Sequence, residues 1–335
     1  MKVTIKDIAR EAGVSVTTVS RVLNNKVDVS PKTRQKVLDI INKLNYNPNS
    51  IARGLVMNKT YTIGLIVPDI SNSFFAEIAK AIEEEIRSYG YSVIFCNTGN
   101  DKKRERESIN LLKSKQVDGL IGAFSNASKE EIIALNKSGF PVVQIDRLVE
   151  DSQVPSVVVD NTVSGYLATE YLIKKGHKRI AHISGSLDTN TGIRRAAGYK
   201  KAMLENGLVV EEDLIIEGDF SQESGYQAMM QIMEENKDLT AVFAGNDMMA
   251  LGAYRAIYDL GLKIPEDISI IGHDDFTLAS LVRPALTTMQ QPIYEIGELA
   301  ARVLIDMLKG RRNNKEPLIV VNTRLVERSS VKTIH

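Results

Sequence analysis

TIKDIAREAGVSVTTVSRVLN, residues 4–24, sets apolar positions at helical spacing, breaks once and resumes. Ile5, Ile8, Ala9 and Ala12 fall at i, i+3, i+4 and i+7, which predicts one apolar stripe on a short helix. Thr4 and Asp7 have the spacing of a capping box at its start. Gly13 stops that helix, and Ser15 can cap a second one running to about Asn24, with Val19, Val22 and Leu23 facing inward. Downstream, Ser30 and Pro31 supply a cap and a first-turn proline ahead of a stripe of Val37, Ile40, Ile41 and Leu44. The three segments together predict an all-α head built on a helix-turn-helix.

On the second helix, Thr17, Thr18, Ser20 and Arg21 stay on faces that the core does not need. Hydroxyls near a helix N-terminus can bond phosphates, and an arginine can bridge both acceptors of guanine in the major groove. Val16 is open between two roles, because its spacing to Val19 fits the core while exposure would let it meet a thymine methyl. Charge points the same way as these side chains. Residues 1–60 hold eleven Lys/Arg against four Asp/Glu, a net of +7, and residues 61–335 hold 31 against 38, a net of −7. A small basic head on an acidic body is the electrostatic footprint of a polyanion partner, with a merely solvated basic bundle as the competing reading.

Composition closes off other classes. At 335 residues the chain exceeds what one core organises, so two or three domains are expected. Charged residues at 25% and apolar ones at 43% are ordinary for a soluble chain. No apolar run nears the roughly 20 residues needed to cross a bilayer. The charged N-terminus lacks the apolar stretch of a secretory signal, and the single Cys96 allows no internal disulfide, so a reducing cytoplasm is the expected home.

After Lys59 apolar runs alternate with amphipathic segments. Strands are expected at Thr62–Val67, Ser92–Cys96, Gly119–Phe124, Val142–Ile145, Val157–Val159, Ile180–Ser184, Ala241–Ala244 and Ile268–Ile271. Helices are expected at Phe75–Tyr89, Lys103–Gln116, Thr162–Lys175 and Asp247–Leu260, among others. Such βαβ alternation demands parallel sheets covered on both faces, and the pattern restarts near Asp160, which implies two similar halves. Open parallel sheets bind ligands beyond the carboxyl ends of their strands. Asp146 and Arg147, Asn246, and Asp274 and Asp275 each follow an apolar run. Any one of them can be a helix cap or a solvated turn; together they converge on one cleft. Carboxylates, an amide and guanidinium groups can bond vicinal hydroxyls, while rings such as Phe74, Phe75 and Phe220 can cover an apolar C–H face, which is the chemistry of a sugar site.

Residues 4–24 resemble the headpiece of the lac repressor family, LNYNPNSIARGL at 44–55 resembles that family's hinge, and the likeness runs along essentially the whole chain. The resemblance implies a helix-turn-helix headpiece at 1–47, a hinge at 48–60 and an effector-binding and dimerisation body at 61–335. That body is expected to be α/β and like periplasmic sugar-binding proteins, with two doubly wound parallel-sheet lobes. The N-lobe would take about 61–160 and 291–321, the C-lobe about 161–290 and 322–335, and the chain would cross near Asp160, Gln290 and Asn322. Val16, Thr17 and Arg21 match base-reading positions, and Ala52 and Leu55 match hinge residues that enter the minor groove. Thr4, Ser15, Thr18, Ser20, Asn24 and Asn49 complete the expected DNA-facing set. Pro48 can begin a hinge helix, but roughly ten residues containing Gly54 are too few to hold one alone, so order is expected only on DNA. A plain tether is the alternative.

Phe74, Phe75, Asp146, Arg147, Arg195, Phe220, Asn246, Asp274 and Gln291 match the pocket of ribose-binding proteins and ribose operon repressors. The resemblance therefore implies a dimeric repressor on a pseudo-palindromic double-stranded DNA operator, controlled by ribose or a related pentose. Two competing readings come from relatives. Asp160, Asn161 and the stretch Thr189–Gly192 also look like a purine repressor, which however has arginine where Thr189 stands and tryptophan where Arg147 stands. PDISN at 68–72 and PIYEIG at 292–297 resemble catabolite control regulators, which bind a phosphorylated carrier protein, although only Arg302 supplies a basic group to the expected docking helix. An enzyme is not expected, since there is no nucleophile elbow, phosphate-cradling loop or zinc-protease motif. No cofactor or metal is expected either. His177, His182 and His273 are scattered and expected at the surface or at strand ends, and Cys96 is expected as an inert buried thiol.

Overall fold

The computed structural model describes residues 3–23, 26, 28–46, 59–149, 153–236, 238–311 and 317–334. They form two compact units, Met1–Thr60 and Tyr61–His335. In the first, helices α1 (Ile5–Ala12), α2 (Val16–Leu23) and α3 (Pro31–Lys43) close on Ile8, Ala9, Ala12, Val19, Val22 and Val37. The Asp7 carboxylate accepts hydrogen bonds from the Thr4 amide (3.0 Å) and hydroxyl (2.7 Å), which fixes the start of α1. Gly13 ends it in the left-handed region at φ +63°, where a side chain would be strained. Ser30 accepts from the Thr33 amide and Pro31 opens α3, as the cap-and-proline pair predicts.

The second unit holds two sheets of six strands. The first contains β1 (Thr62–Val67), β2 (Ser92–Asn97), β3 (Gly119–Gly122), β4 (Val142–Ile145) and β5 (Ser156–Val159). Helices α4 (Ser73–Ser88), α5 (Lys102–Ser114) and α6 (Lys129–Lys137) connect them. In the second, β6 (Ile180–Ser184), β7 (Ile215–Glu217), β8 (Ala241–Ala244), β9 (Ser269–Asp274) and β10 (Thr287–Gln290) alternate with helices. Those helices are α7 (Asn161–Lys174), α8 (Asn190–Glu205), α9 (Gln222–Glu235) and α10 (Asp247–Asp259). Helix α11 (Ile293–Leu308) returns to the first lobe, β11 (Leu318–Val321) joins its sheet, and β12 (Arg324–Val326) ends in the second. The orders are β11-β5-β4-β3-β1-β2 and β12-β10-β9-β8-β6-β7, so the halves share one doubly wound topology. All pairings are parallel except β10 with β12. The chain passes between lobes after β5, after β10 and between β11 and β12. Each sheet buries a core on both faces, which explains why its central strands are uninterrupted apolar runs.

None of the three histidines is at the surface: His177, His182 and His273 are all fully buried, His182 in the middle of β6 and His273 one residue from the end of β9. One ring nitrogen of each meets a group far away in the chain: Thr240 for His177, the Phe243 carbonyl for His182, and Ser164 for His273. Burial pushes His182 and His273 down to about 4, so both are neutral imidazoles at pH 7.

Helices α7 and α8 touch backbone to backbone. A Cβ on Gly165 would overlap the Arg195 carbonyl, and one on Gly198 would overlap the Thr162 carbonyl. Gly165→Ala is therefore expected to cost about 1–3 kcal/mol by overpacking and to displace Arg195. The urea midpoint checks it; an unchanged midpoint would show that the helices separate freely.

Candidate functional site

Both sheets contribute the carboxyl ends of their strands to one cavity of about 230 Å³. It lies where each strand order reverses, between β1 and β3 and between β6 and β8. Asp146 and Arg147 follow β4, Phe220 follows β7, Asn246 follows β8 and Asp274 ends β9. Phe74 and Phe75 open α4, their rings edge to face at 5.0 Å, and Arg195 projects from α8. These eight residues line the cavity. Gln291 stands behind them, buried, with its amide donating to Asp274 Oδ1 at 2.8 Å. It orients a lining carboxylate instead of facing the cavity.

Two guanidinium groups face two carboxylates. Arg195 is 2% exposed; its Nε donates to Asn161 Oδ1 (2.8 Å), its Nη1 to the Gly245 carbonyl (2.5 Å), and it stands 3.7 Å from Asp274. Arg147 donates to Asn100 Oδ1 at 2.6 Å. Burial pushes the Asp146 carboxyl up to about 6 against the pull of Arg147 and Arg195, so it titrates near neutrality. Asn100, Asp146, Phe220 and Asp274 sit at positive φ (58°, 59°, 71° and 119°), a conformation that costs non-glycine residues energy and clusters at ligand sites.

Asn246 combines the dull reading and the functional one. Its Oδ1 caps α10 by accepting from the Met249 amide, while its Nδ2 donates to the Phe220 carbonyl and so holds that ring's backbone. Thr191, Asn100, Asn72, Asp69, Asp219 and Ser221 also line the cavity and were not expected there. Asn100 and Asp219 lie just past β2 and β7, so the strand-end rule reaches them once β7 is recognised. Thr191 is 4% exposed and its hydroxyl has no partner among the described residues. In the sequence it is marked only as part of the stretch Thr189–Gly192 that resembles a purine repressor. The set holds four carboxylates and two guanidinium groups, is rich in fixed polar groups and is bordered by rings, which suits a small polyol whose hydroxyls donate to the surplus carboxylates.

In the separate unit Met1–Thr60, Val16 is 41% exposed, and Thr17 and Arg21 are exposed beside it on α2. Exposure removes Val16 from the core. Ser15 Oγ accepts from the Thr18 amide at 3.0 Å and caps α2, and the Thr4 hydroxyl is engaged by Asp7. Ser20 is half-buried. Asn24, Asn49, Ala52, Leu55 and the proposed hinge helix lie outside the described residues. Arg21 Nη1 pairs with Asp28 at 3.1 Å, both side chains more than half exposed. Such a pair is weak, and it competes with the base contact that the family resemblance implies for Arg21. Asp28→Ala is expected to tighten operator binding severalfold, as measured by fluorescence anisotropy at fixed salt. Weaker binding would mean that Asp28 positions Arg21.

No helix among the described residues is long and apolar enough to cross a membrane, and none of their His, Cys, Asp or Glu groups is arranged to hold a metal. Residues 4–49 match the family model described as bacterial regulatory proteins, lacI family, and residues 60–326 match periplasmic binding proteins and sugar binding domain of LacI family. The chain is 44% identical over 305 residues to catabolite control protein A of Priestia megaterium, covering 91% of this chain and 92% of that one. It is 40% identical to the transcriptional repressor PurR of Vibrio atlanticus over 99% of both chains. Among solved structures it is similar to the lac repressor dimer bound to operator and the anti-inducer ONPF (TM-score 0.88, 30% identity, 99% of this chain and 100% of that one). It is also similar to a LacI family regulator from Enterococcus faecium with bound ribose (TM-score 0.71, 31% identity, 82% and 100%).

Proposed function

This chain belongs to the lacI family of bacterial regulatory proteins, as a DNA-binding transcriptional repressor and not an enzyme, and from that premise we propose that its effector is ribose or a closely related pentose. The observation that carries the reading is the cavity itself: Asp146 and Asp274 set against Arg147 and Arg195, with Phe74, Phe75 and Phe220 beside them, in about 230 Å³. That volume is below the roughly 300–1,000 Å³ of sites for drug-sized ligands and suits one sugar ring. The bound ribose in the Enterococcus relative supports the same class. The repressor acts in the cytoplasm as a dimer, each α2 entering the major groove of one half of a pseudo-palindromic operator, with the hinge segment around Leu55 contributing minor-groove contacts. Sugar shifts operator affinity by preferring one arrangement of the lobes; without that difference it would change nothing.

Calorimetry of the full chain against ribose, allose, other pentoses, purines and sugar phosphates tests the proposal. Heat with ribose and silence with purines is expected, and Arg147→Ala should remove the heat while operator binding survives. A silent ribose trace overturns it. A sugar hydroxyl donating to Asp146 requires the carboxylate. With the group at about 6, affinity should rise about tenfold between pH 5 and pH 7. A flat profile would exclude Asp146 as the acceptor.

The likeness to catabolite control protein A favours a second reading, a phosphorylated carrier protein as corepressor. Against it, Arg302 on α11 is already engaged by Glu85 (2.9 Å) and Glu298 (3.5 Å). A purine is disfavoured because Thr189 is spent as the cap of α8 and the buried Arg147 occupies the wall.

A further inference from the structure

His273 lies directly behind the cavity wall, fully buried and one residue before Asp274, and does not itself line the cavity. Its Nδ1 is 3.0 Å from Asp274 Oδ1, and its Nε2 is 2.5 Å from Ser164 Oγ in the first turn of α7. Burial and the nearby Arg195 charge keep the ring neutral, so it carries a single proton. Asp274 Oδ1 already accepts from the Gln291 amide at 2.8 Å, so that oxygen holds no hydrogen and Nδ1 must be the donor. Nε2 is then a lone pair, and the Ser164 hydroxyl donates to it. A hydroxyl, an imidazole and a carboxylate thus stand in the order of a hydrolytic triad. Ser164 is fully buried and does not line the cavity, so no acyl group reaches its oxygen. The chain of bonds ends instead on the carboxylate that does line it. Both hydrogen bonds that Asp274 accepts among the described residues end on Oδ1, which leaves Oδ2 for a ligand. Helix α7 is a firm base for this chain: Asp160 caps it by accepting from the Thr162 and Val163 amides, both at 3.0 Å. Asn161 and Ser164, three residues apart on one face of α7, hold Arg195 and His273 respectively.

We propose that His273 is a positioning residue of the effector site: with Ser164 it fixes the Asp274 carboxylate so that Oδ2 accepts one hydroxyl of the bound sugar. The inference rests on the sugar reading of the cavity. Nδ1 acts on Asp274, while Nε2 only holds the ring. An asparagine amide reaches about as far as Nδ1 and a glutamine amide about as far as Nε2, so the two substitutions separate the two ends of the ring. A role in packing alone ranks them the other way, because glutamine is closer to histidine in volume.

Calorimetry of the full chain with ribose and a set of monodeoxy riboses tests it. The intact chain should bind one of the deoxy sugars at least about tenfold more weakly than ribose, the one lacking the hydroxyl that Asp274 holds. His273→Gln should weaken ribose at least about tenfold and erase that discrimination, because a misplaced Oδ2 gains nothing from the hydroxyl. His273→Asn should keep affinity and discrimination within about threefold of the intact chain, with Ser164→Ala between the two. All three should bind operator without sugar as the intact chain does. Nitrogen NMR of the unliganded chain, with labelled histidine and His273→Asn to assign the signals, should show a protonated Nδ1 and an unprotonated Nε2 on His273. The opposite tautomer overturns the relay alone, and so does a glutamine variant that holds ribose as well as the asparagine one. Operator binding lost in step with sugar affinity would make His273 a packing residue and overturn it too. Silence from every sugar in the intact chain overturns this inference and the pentose reading together.

Discussion

Alanine in place of Arg195 is expected to abolish sugar binding and to cost the body about 3–5 kcal/mol of folding stability. The side chain is 2% exposed and satisfies three partners at once: the Asn161 amide oxygen, the Gly245 carbonyl and, at 3.7 Å, Asp274. Truncation leaves two buried acceptors without a donor, and Asp146 and Asp274 together with one guanidinium fewer. Protonation relieves part of this. Asp146 is already up to about 6 in the intact protein against 3.8 in the unfolded chain, and losing a cation raises it further. A group whose folded value lies above its unfolded one takes up protons on folding, so its contribution to stability falls as pH rises from about 4 through the folded value. The loss from Arg195→Ala should therefore be larger at pH 8 than at pH 5. Urea unfolding at the two pH values measures it. A loss below about 1 kcal/mol at pH 8 would show that water replaces the guanidinium, and equal losses would remove Asp146 from the account.

The parts of the fold legible in the sequence are those whose burial is continuous along the chain. Strands β1, β3, β4, β6, β8 and β9 are central or near-central and read as apolar runs, and the headpiece helices announce themselves by stripe, cap and Gly13. Strands β7, β11 and β12 are short edge strands with half-exposed residues. β10 is hidden for a different reason: Thr287, Thr288 and Gln290 look like loop, yet the threonines are fully buried because Arg328 and Asp247 satisfy their hydroxyls. Tertiary partners of this kind leave no periodicity. The same holds for the buried histidines and for Gln291, whose amide is consumed by Asp274. In the cavity, the strand-end rule reaches Asp146, Arg147, Asn246 and Asp274 from pattern alone. Arg195 and Thr191 come from the first turns of α8, and only the fold brings that helix to the cleft.

Asp275→Ala should leave sugar affinity within about threefold while removing most of the sugar-dependent change in operator affinity, a coupling of typically 1–3 kcal/mol or about 5–150-fold. Asp274 and Asp275 occupy consecutive positive-φ positions, 119° and 61°, so the end of β9 is held in a backbone shape that few neighbouring conformations resemble. Asp274 faces the cavity and accepts from Gln291, at the crossing after β10. Asp275 points away from it. One of its oxygens accepts from Arg328 at 2.6 Å, the other from Gln290 at 2.6 Å, and Gln290 in turn accepts from Arg324, just past the crossing between β11 and β12. Two of the three inter-lobe crossings are thus tied by side chains to the two residues that end β9. A ligand that shifts Asp274 must shift Asp275, and the tethers pass that shift to the segments on which the lobes turn. Removing the Asp275 carboxylate cuts both tethers and leaves every lining side chain in place. Operator affinity with and without saturating sugar gives the coupling, and Gln290→Ala should add little once Asp275 is gone. If the ratio of the two affinities is unchanged in Asp275→Ala, the signal travels through the Asn161–Arg195 contact at the remaining crossing instead.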